Sequence, residues 1–182
     1  MIRILLCCIM MFQAASQTAT KPIIDNERVA VWDTTTPVAA TTDTVVVSLA
    51  GSAAFAPKGT QPKVDGRSIV INLKDHAVAP IENKSGFPLA FPRPGSKKLL
   101  ENDRVIVWDS TWTPGVASPM HFHDKDVVVV FLQDGDLKST TPDGKEVVNQ
   151  YKPATVRFNL RDRTHTETLV RGEQRAIITE LK

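Results

Sequence analysis

From Arg104 onward the chain is a series of short runs rich in Val, Ile and Thr: RVIVWDSTW, MHFH, VVVVFL, LKSTT, KEVVNQY, TVRFN, HTETLV and QRAIITEL. Turn-forming stretches such as QDGD and TPDGK separate them, and almost nowhere do apolar residues recur at the helical spacing of three and four. The pattern predicts an all-β chain, and strands this short and this regularly spaced suit a small barrel or sandwich. VVVVFL is apolar without alternation, which predicts a strand buried on both faces; exposed at an edge it would invite pairing with other chains.

The pattern also repeats. ERVAVWDTT at Glu27 to Thr35 returns as DRVIVWDST at Asp103 to Thr111, and INLKD at Ile71 to Asp75 returns as FNLRD at Phe158 to Asp162. Two similar β units are expected, with Trp32 and Trp108 in matching core positions. The Pro- and Gly-rich stretch GFPLAFPRPGSKK reads as an irregular connection, which places the boundary near Gly95: one unit over 17–95, the other over 96–182.

The first sixteen residues have a different character. A single early Arg3, an apolar run from Ile4 to Phe12 and the small residues Ala14, Ala15 and Ser16 read as a secretory signal peptide over 1–16. The run is too short for a bilayer, and no later segment approaches the roughly 20 apolar residues a spanning helix needs. A soluble periplasmic or secreted protein is expected. Its only cysteines, Cys7 and Cys8, would leave with the leader, which excludes thiol catalysis and Cys-ligated zinc. The formal net charge of +2 on 182 residues carries no basic stripe, so nucleic acid is not an expected partner.

Candidate chemistry centres on HFH. Residues two apart on a strand share a face, so His121 and His123 can address one interior point. Alone, such a pair arises easily on a solvated strand. His165 in DRTHTE, with Glu167 two residues on, changes the weighting: three imidazoles and a carboxylate could converge on a divalent transition metal and leave a coordination position open. Glu167 is either a fourth ligand or a base beside the metal. Arginines crowd the same region, and Arg157 and Arg175, which interrupt apolar strands, are the candidates to bind a substrate carboxylate. Trp112 is a candidate pocket wall, with core packing as its alternative.

These residues resemble the cupin family. Gly115, His121, His123 and Gly135 match the spacing of its first motif, in which Val128 stands at the metal-ligating glutamate. In the second motif Ala154 and Asp162 stand at two glycines, Leu160 at a proline, Leu169 at an asparagine, and His165 at the histidine. The resemblance implies a double-stranded β-helix, or jelly-roll, barrel in the C-terminal unit and a degenerate N-terminal copy without metal. It further implies one iron, manganese or zinc ion on His121, His123 and His165, and a small-molecule substrate. Two functions stay open: a metal-dependent, dioxygenase-like oxygenase acting on a small organic acid, and a non-catalytic module that binds or senses a metal or small ligand. Cupins often associate through sheet edges, so a homodimer is an expected assembly. A glutamate at Val128 should be tolerated, and could tighten metal binding if that side chain faces the histidines.

Overall fold

Period-two alternation along the apolar runs yields fourteen strands and, among the described residues, no helix. The structure is a computed structural model that describes residues 21–36, 40–61, 63 and 66–182; the expected leader over 1–16 lies outside them. In the N-terminal half, β1 (Ile24–Asp25), β2 (Val29–Thr34), β3 (Thr44–Ser48), β4 (Ala53–Ala56) and β5 (Ser68–Leu73) form one antiparallel sheet in the order β1-β2-β5-β3-β4.

The C-terminal half contains β6 (Ser96–Glu101), β7 (Val105–Trp112), β8 (His121–His123), β9 (Val127–Phe131), β10 (Gly135–Thr140), β11 (Glu146–Tyr151), β12 (Val156–Asn159), β13 (Arg163–Gly172) and β14 (Gln174–Leu181). They form two sheets, β12-β9-β14-β7-β6 and β11-β10-β13-β8. From β7 on, the chain passes back and forth between these sheets, and all neighbours within them are antiparallel. This eight-stranded path is a jelly roll, the architecture that the motifs implied. The repeated sequences are paired differently in the two halves. The strand ending in INL lies directly beside the Trp32 strand, whereas β9 and β14 lie between β12 and β7.

The β12-β9-β14-β7-β6 sheet is covered on both faces, and strand parity divides its side chains between two cores. Val105, Val107, Val128, Val130 and Ile177 pack against Val29, Val31, Val45, Val47, Ile69 and Ile71 of the N-terminal sheet. Trp108, Val127, Val129, Phe131, Ala176 and Ile178 face the barrel interior, where Leu137 and Leu169 meet them from the opposite sheet. Each such side chain, once fully buried, contributes roughly 1.5–3 kcal/mol. Trp108 is buried, with its indole N–H donating to Glu180 Oε2 at 2.7 Å; Trp32 is only half-buried.

Arginines fasten the N-terminal sheet to the barrel. Buried Arg28 pairs with Asp126 at 2.6 Å and donates to the Lys182 carbonyl, and Arg104 joins Asp43 and the Lys74 carbonyl.

Val128 therefore does not face the histidines, and the expectation that a glutamate there is tolerated fails with it. It points into the core shared with the N-terminal sheet, fully buried, because inward positions on β9 are 127, 129 and 131. The rest of the motif register is visible in the backbone. Gly115 has φ 74°, and Ala154 and Asp162, at two motif glycines, adopt φ of 67° and 62° without being glycine. Gly135 is needed for space, since a Cβ there would lie 2.7 Å from the Glu173 carbonyl oxygen.

Val128→Glu should lose about 3–5 kcal/mol of stability, the cost of an unpaired buried charge. Val127→Glu, entering a cavity that holds arginines, should lose clearly less. Urea midpoints of the two variants measure the difference, and equal losses would contradict this assignment of faces. Ala154→Gly should gain about 0.5–1 kcal/mol, as relief of left-handed strain outweighs the added freedom of the unfolded chain; the same titration reads it.

Candidate metal centre

Strand β8 lies against β13 with His121 opposite His165 and His123 opposite Arg163. Directly paired residues share a face, as do residues two apart on one strand, so all three imidazoles enter the barrel. Their ring centroids are 4.8–5.1 Å apart, and one nitrogen from each ring lies within 4.8 Å of the others. The three are buried, none more than 9% exposed.

Burial, aided by the Arg93 charge, pushes the His121 pKa down to about 3. Burial and then Arg163 push His165 down to about 3 as well, and the same two causes hold His123 well below its ordinary value. At neutral pH the imidazoles are therefore neutral and each keeps a lone pair. His121 Nδ1 lies 2.7 Å from the Pro119 carbonyl oxygen, so that nitrogen carries the proton and Nε2 is the acceptor. Both ring nitrogens of His123 are buried without a hydrogen-bond partner. A donor set of three neutral imidazoles with orphaned nitrogen fits a divalent transition metal.

Glu167 shares the inward face of β13 but lies outside the three-histidine cluster. Its Oε2 accepts hydrogen bonds from Trp112 Nε1 at 3.2 Å and Arg93 Nη2 at 3.3 Å. Trp112 and Arg157 line a cavity of about 130 Å³ with His123, His165, Glu167 and Arg163. Arg157 stands exposed at its mouth, with no ion pair among the described residues. Arg175 is not in this lining. Odd-numbered positions on β14 face the N-terminal sheet, and its guanidinium binds Asp109 at 2.8 and 2.9 Å and the Gly51 carbonyl at 3.1 Å. Its charge is spent holding two sheets together.

Two charged residues of the cavity, Arg163 and Arg93, were not singled out in the sequence, although Arg163 belongs to the arginine cluster noted there. Arg163 shares the inward face with His165 two residues later, so parity alone could have found it. Arg93 left no local signal. It arrives from the Pro-rich connection, which runs along the free edge of β8: Ala90 N–H donates to the Phe122 carbonyl, and Phe122 N–H to the Pro88 carbonyl. Phe91 then stacks on Trp108 at 5.0 Å, and the Arg93 guanidinium lies near the rings of Phe91 and Trp112. Its Nη1 is 2.7 Å from His121 Nε2.

No protein-family profile matches the chain, and no curated protein does. Among solved structures, it is similar to a cupin domain from Bordetella pertussis at 27% identity, covering 51% of this chain and 99% of that one with a TM-score of 0.44. It is also similar to a cupin 2 conserved barrel domain protein from Leptotrichia buccalis, at 12% identity over 88% of this chain and 87% of that one, TM-score 0.47. The polyketide cyclase RemF from Streptomyces resistomycificus aligns at 19% identity over 57% of this chain and 79% of that one, TM-score 0.36.

The lowered histidine pKa values set a pH dependence for the metal-free protein. The unfolded chain, with ordinary values near 6.5, binds more protons than the folded one as pH falls toward about 3, so stability is full above about 6.5 and lost below it. Thermal midpoints of chelator-treated protein should fall between pH 6.5 and 5, and His165→Gln should flatten that slope. A parent midpoint constant across this window would contradict the assignment.

Proposed function

We propose that the chain is an exported, metal-binding cupin whose three-histidine site takes a small organic acid. The observation that carries this reading is the convergence of His121, His123 and His165, buried and neutral, with the nitrogens of His123 unpartnered; His123 and His165 open onto a cavity lined by Arg93, Arg157 and Arg163 against the single carboxylate of Glu167. Iron, manganese or zinc held by the three imidazoles would keep its double positive charge and could supply Lewis-acid or oxygen chemistry. The protein's own contribution is positional. The imidazoles offer lone pairs without a competing proton, the arginines favour an anion, and Val127, Val129, Phe131 and Ile178 supply an apolar part of the lining.

The enzyme reading is a metal-dependent oxygenase with Glu167 as base. A binding or sensing module is supported by a specific observation as well: Glu167 is already engaged by Arg93 and Trp112, an arrangement that suits holding a ligand as well as turning it over. Oxygen consumption by iron-loaded protein over a panel of small organic acids separates the two. Turnover would establish the enzyme, whereas saturable binding without consumption would establish the module.

Metal analysis of protein purified without chelator should find about one equivalent of iron, manganese or zinc, lost in His123→Ala and His165→Ala while both variants stay folded, because the apolar sheets rather than a cation supply the core. Absence of metal from the parent after reconstitution both with and without a small carboxylate would overturn the proposal.

A further inference from the structure

We infer that Arg93 makes this a joint site for a cation and a small carboxylate, in which each promotes the binding of the other; the inference rests on the metal reading above. His121 has one nitrogen to offer. Its Nδ1 is committed to the Pro119 carbonyl oxygen at 2.7 Å, and its Nε2 receives a hydrogen bond from Arg93 Nη1, also 2.7 Å away. A metal on that nitrogen would stand about 2.0–2.1 Å from it along the same lone pair. The guanidinium and the cation therefore exclude each other at His121, while His123 and His165 remain free to ligate.

Arg93 itself is anchored. Its backbone is pinned at both ends by Ser96, whose Oγ accepts from Arg93 N–H at 2.9 Å and donates to the Arg93 carbonyl at 2.6 Å. Its side chain is 7% exposed and lies beside the rings of Phe91 and Trp112. Only the guanidinium end can turn, either into the cavity of about 130 Å³ that Arg157 and Arg163 also line or toward a pocket of about 250 Å³ bounded by Trp112, Ser118 and Pro119. A cation entering alone would thus either bring the displaced guanidinium toward two others, with Glu167 the only carboxylate in that lining, or turn it into the second pocket, whose lining has no carboxylate to receive it.

A small dicarboxylate resolves this conflict. It supplies the planar oxygen pair that a guanidinium fork binds in bidentate fashion, draws Arg93 off His121 and offsets the excess positive charge. By linkage, the factor by which the anion tightens metal binding is the factor by which metal tightens anion binding. Glu167, relieved of its contact with Arg93, would be left with Trp112 and become available to the bound ligands.

The test is Zn²⁺ affinity, measured by competition against a chromophoric chelator at constant free Zn²⁺, with and without malonate, for the parent and for Arg93→Met, which keeps an apolar stem and removes the fork. In the parent, malonate should tighten Zn²⁺ binding about tenfold or more, within the usual range of site coupling. In Arg93→Met, Zn²⁺ alone should bind about tenfold more tightly than in the parent and malonate should add little. Zn²⁺ binding to the variant but not to the malonate-free parent would support the inference in its strongest form. Equal affinities across all four conditions, or weakening by malonate in the parent, would overturn the role of Arg93 and leave the metal site standing. Failure of both proteins to bind Zn²⁺ with or without malonate would overturn the metal reading and this inference together. Should Arg93→Met fail to fold, the malonate dependence of the parent decides alone.

Discussion

The rest of the structure depends on one sheet being buried on both faces. β12-β9-β14-β7-β6 lies between the N-terminal sheet and the barrel interior, so consecutive residues on its strands serve different cores. The valine run shows the consequence most directly: Val128 and Val130 join Val29, Val45 and Ile71 on one side, while Val127, Val129 and Phe131 wall the cavity on the other. The same alternation separates the two arginines that looked equivalent in sequence. Arg157 reaches the cavity, whereas Arg175 is spent between Asp109 and Gly51. A slip of one residue would exchange these roles throughout, and the Arg28–Asp126 and Arg104–Asp43 pairs help fasten the N-terminal sheet to the barrel.

Within the barrel the governing condition is electrostatic. Three imidazoles are buried so deeply, and so close to Arg93 and Arg163, that protonating any of them is unfavourable. The folded chain thus prepares lone pairs at a place where three of them converge. The surroundings that keep the histidines neutral are also positively charged, with Arg93, Arg157 and Arg163 in the lining against Glu167. Glu167 sits between these tendencies, its Oε2 shared by an indole N–H and a guanidinium.

The turns flanking β12 show that positive φ does not require glycine. Ala154 and Asp162 stand where glycines are expected and still adopt positive φ, because the turns that carry them are closed by long-range bonds: Ala154 N–H to the Phe131 carbonyl and Asp162 N–H to the His123 carbonyl. The second of these bonds ties the turn before β13 to the end of β8, so the loop that aims His165 is anchored on His123 itself. The glutamate position fared differently. A count along the sequence placed it at Val128, and only the packing revealed that this side chain points the other way.

Strand content, the double burial of VVVVFL and the shared direction of His121, His123 and His165 were readable from residues alone, since they rest on period-two alternation and on spacing within short segments. Arg163 was readable by the same rule. Alternation says that two faces differ, but not which of them meets a cavity; that depends on the sheet packed opposite, which is why Val128, Arg157 and Arg175 acquired their places only in the folded chain. Arg93 depended on tertiary structure most of all, because a connection without strand pattern delivers it across the edge of β8. The histidines could be found in the sequence, but the guanidinium that contests one of them required the fold.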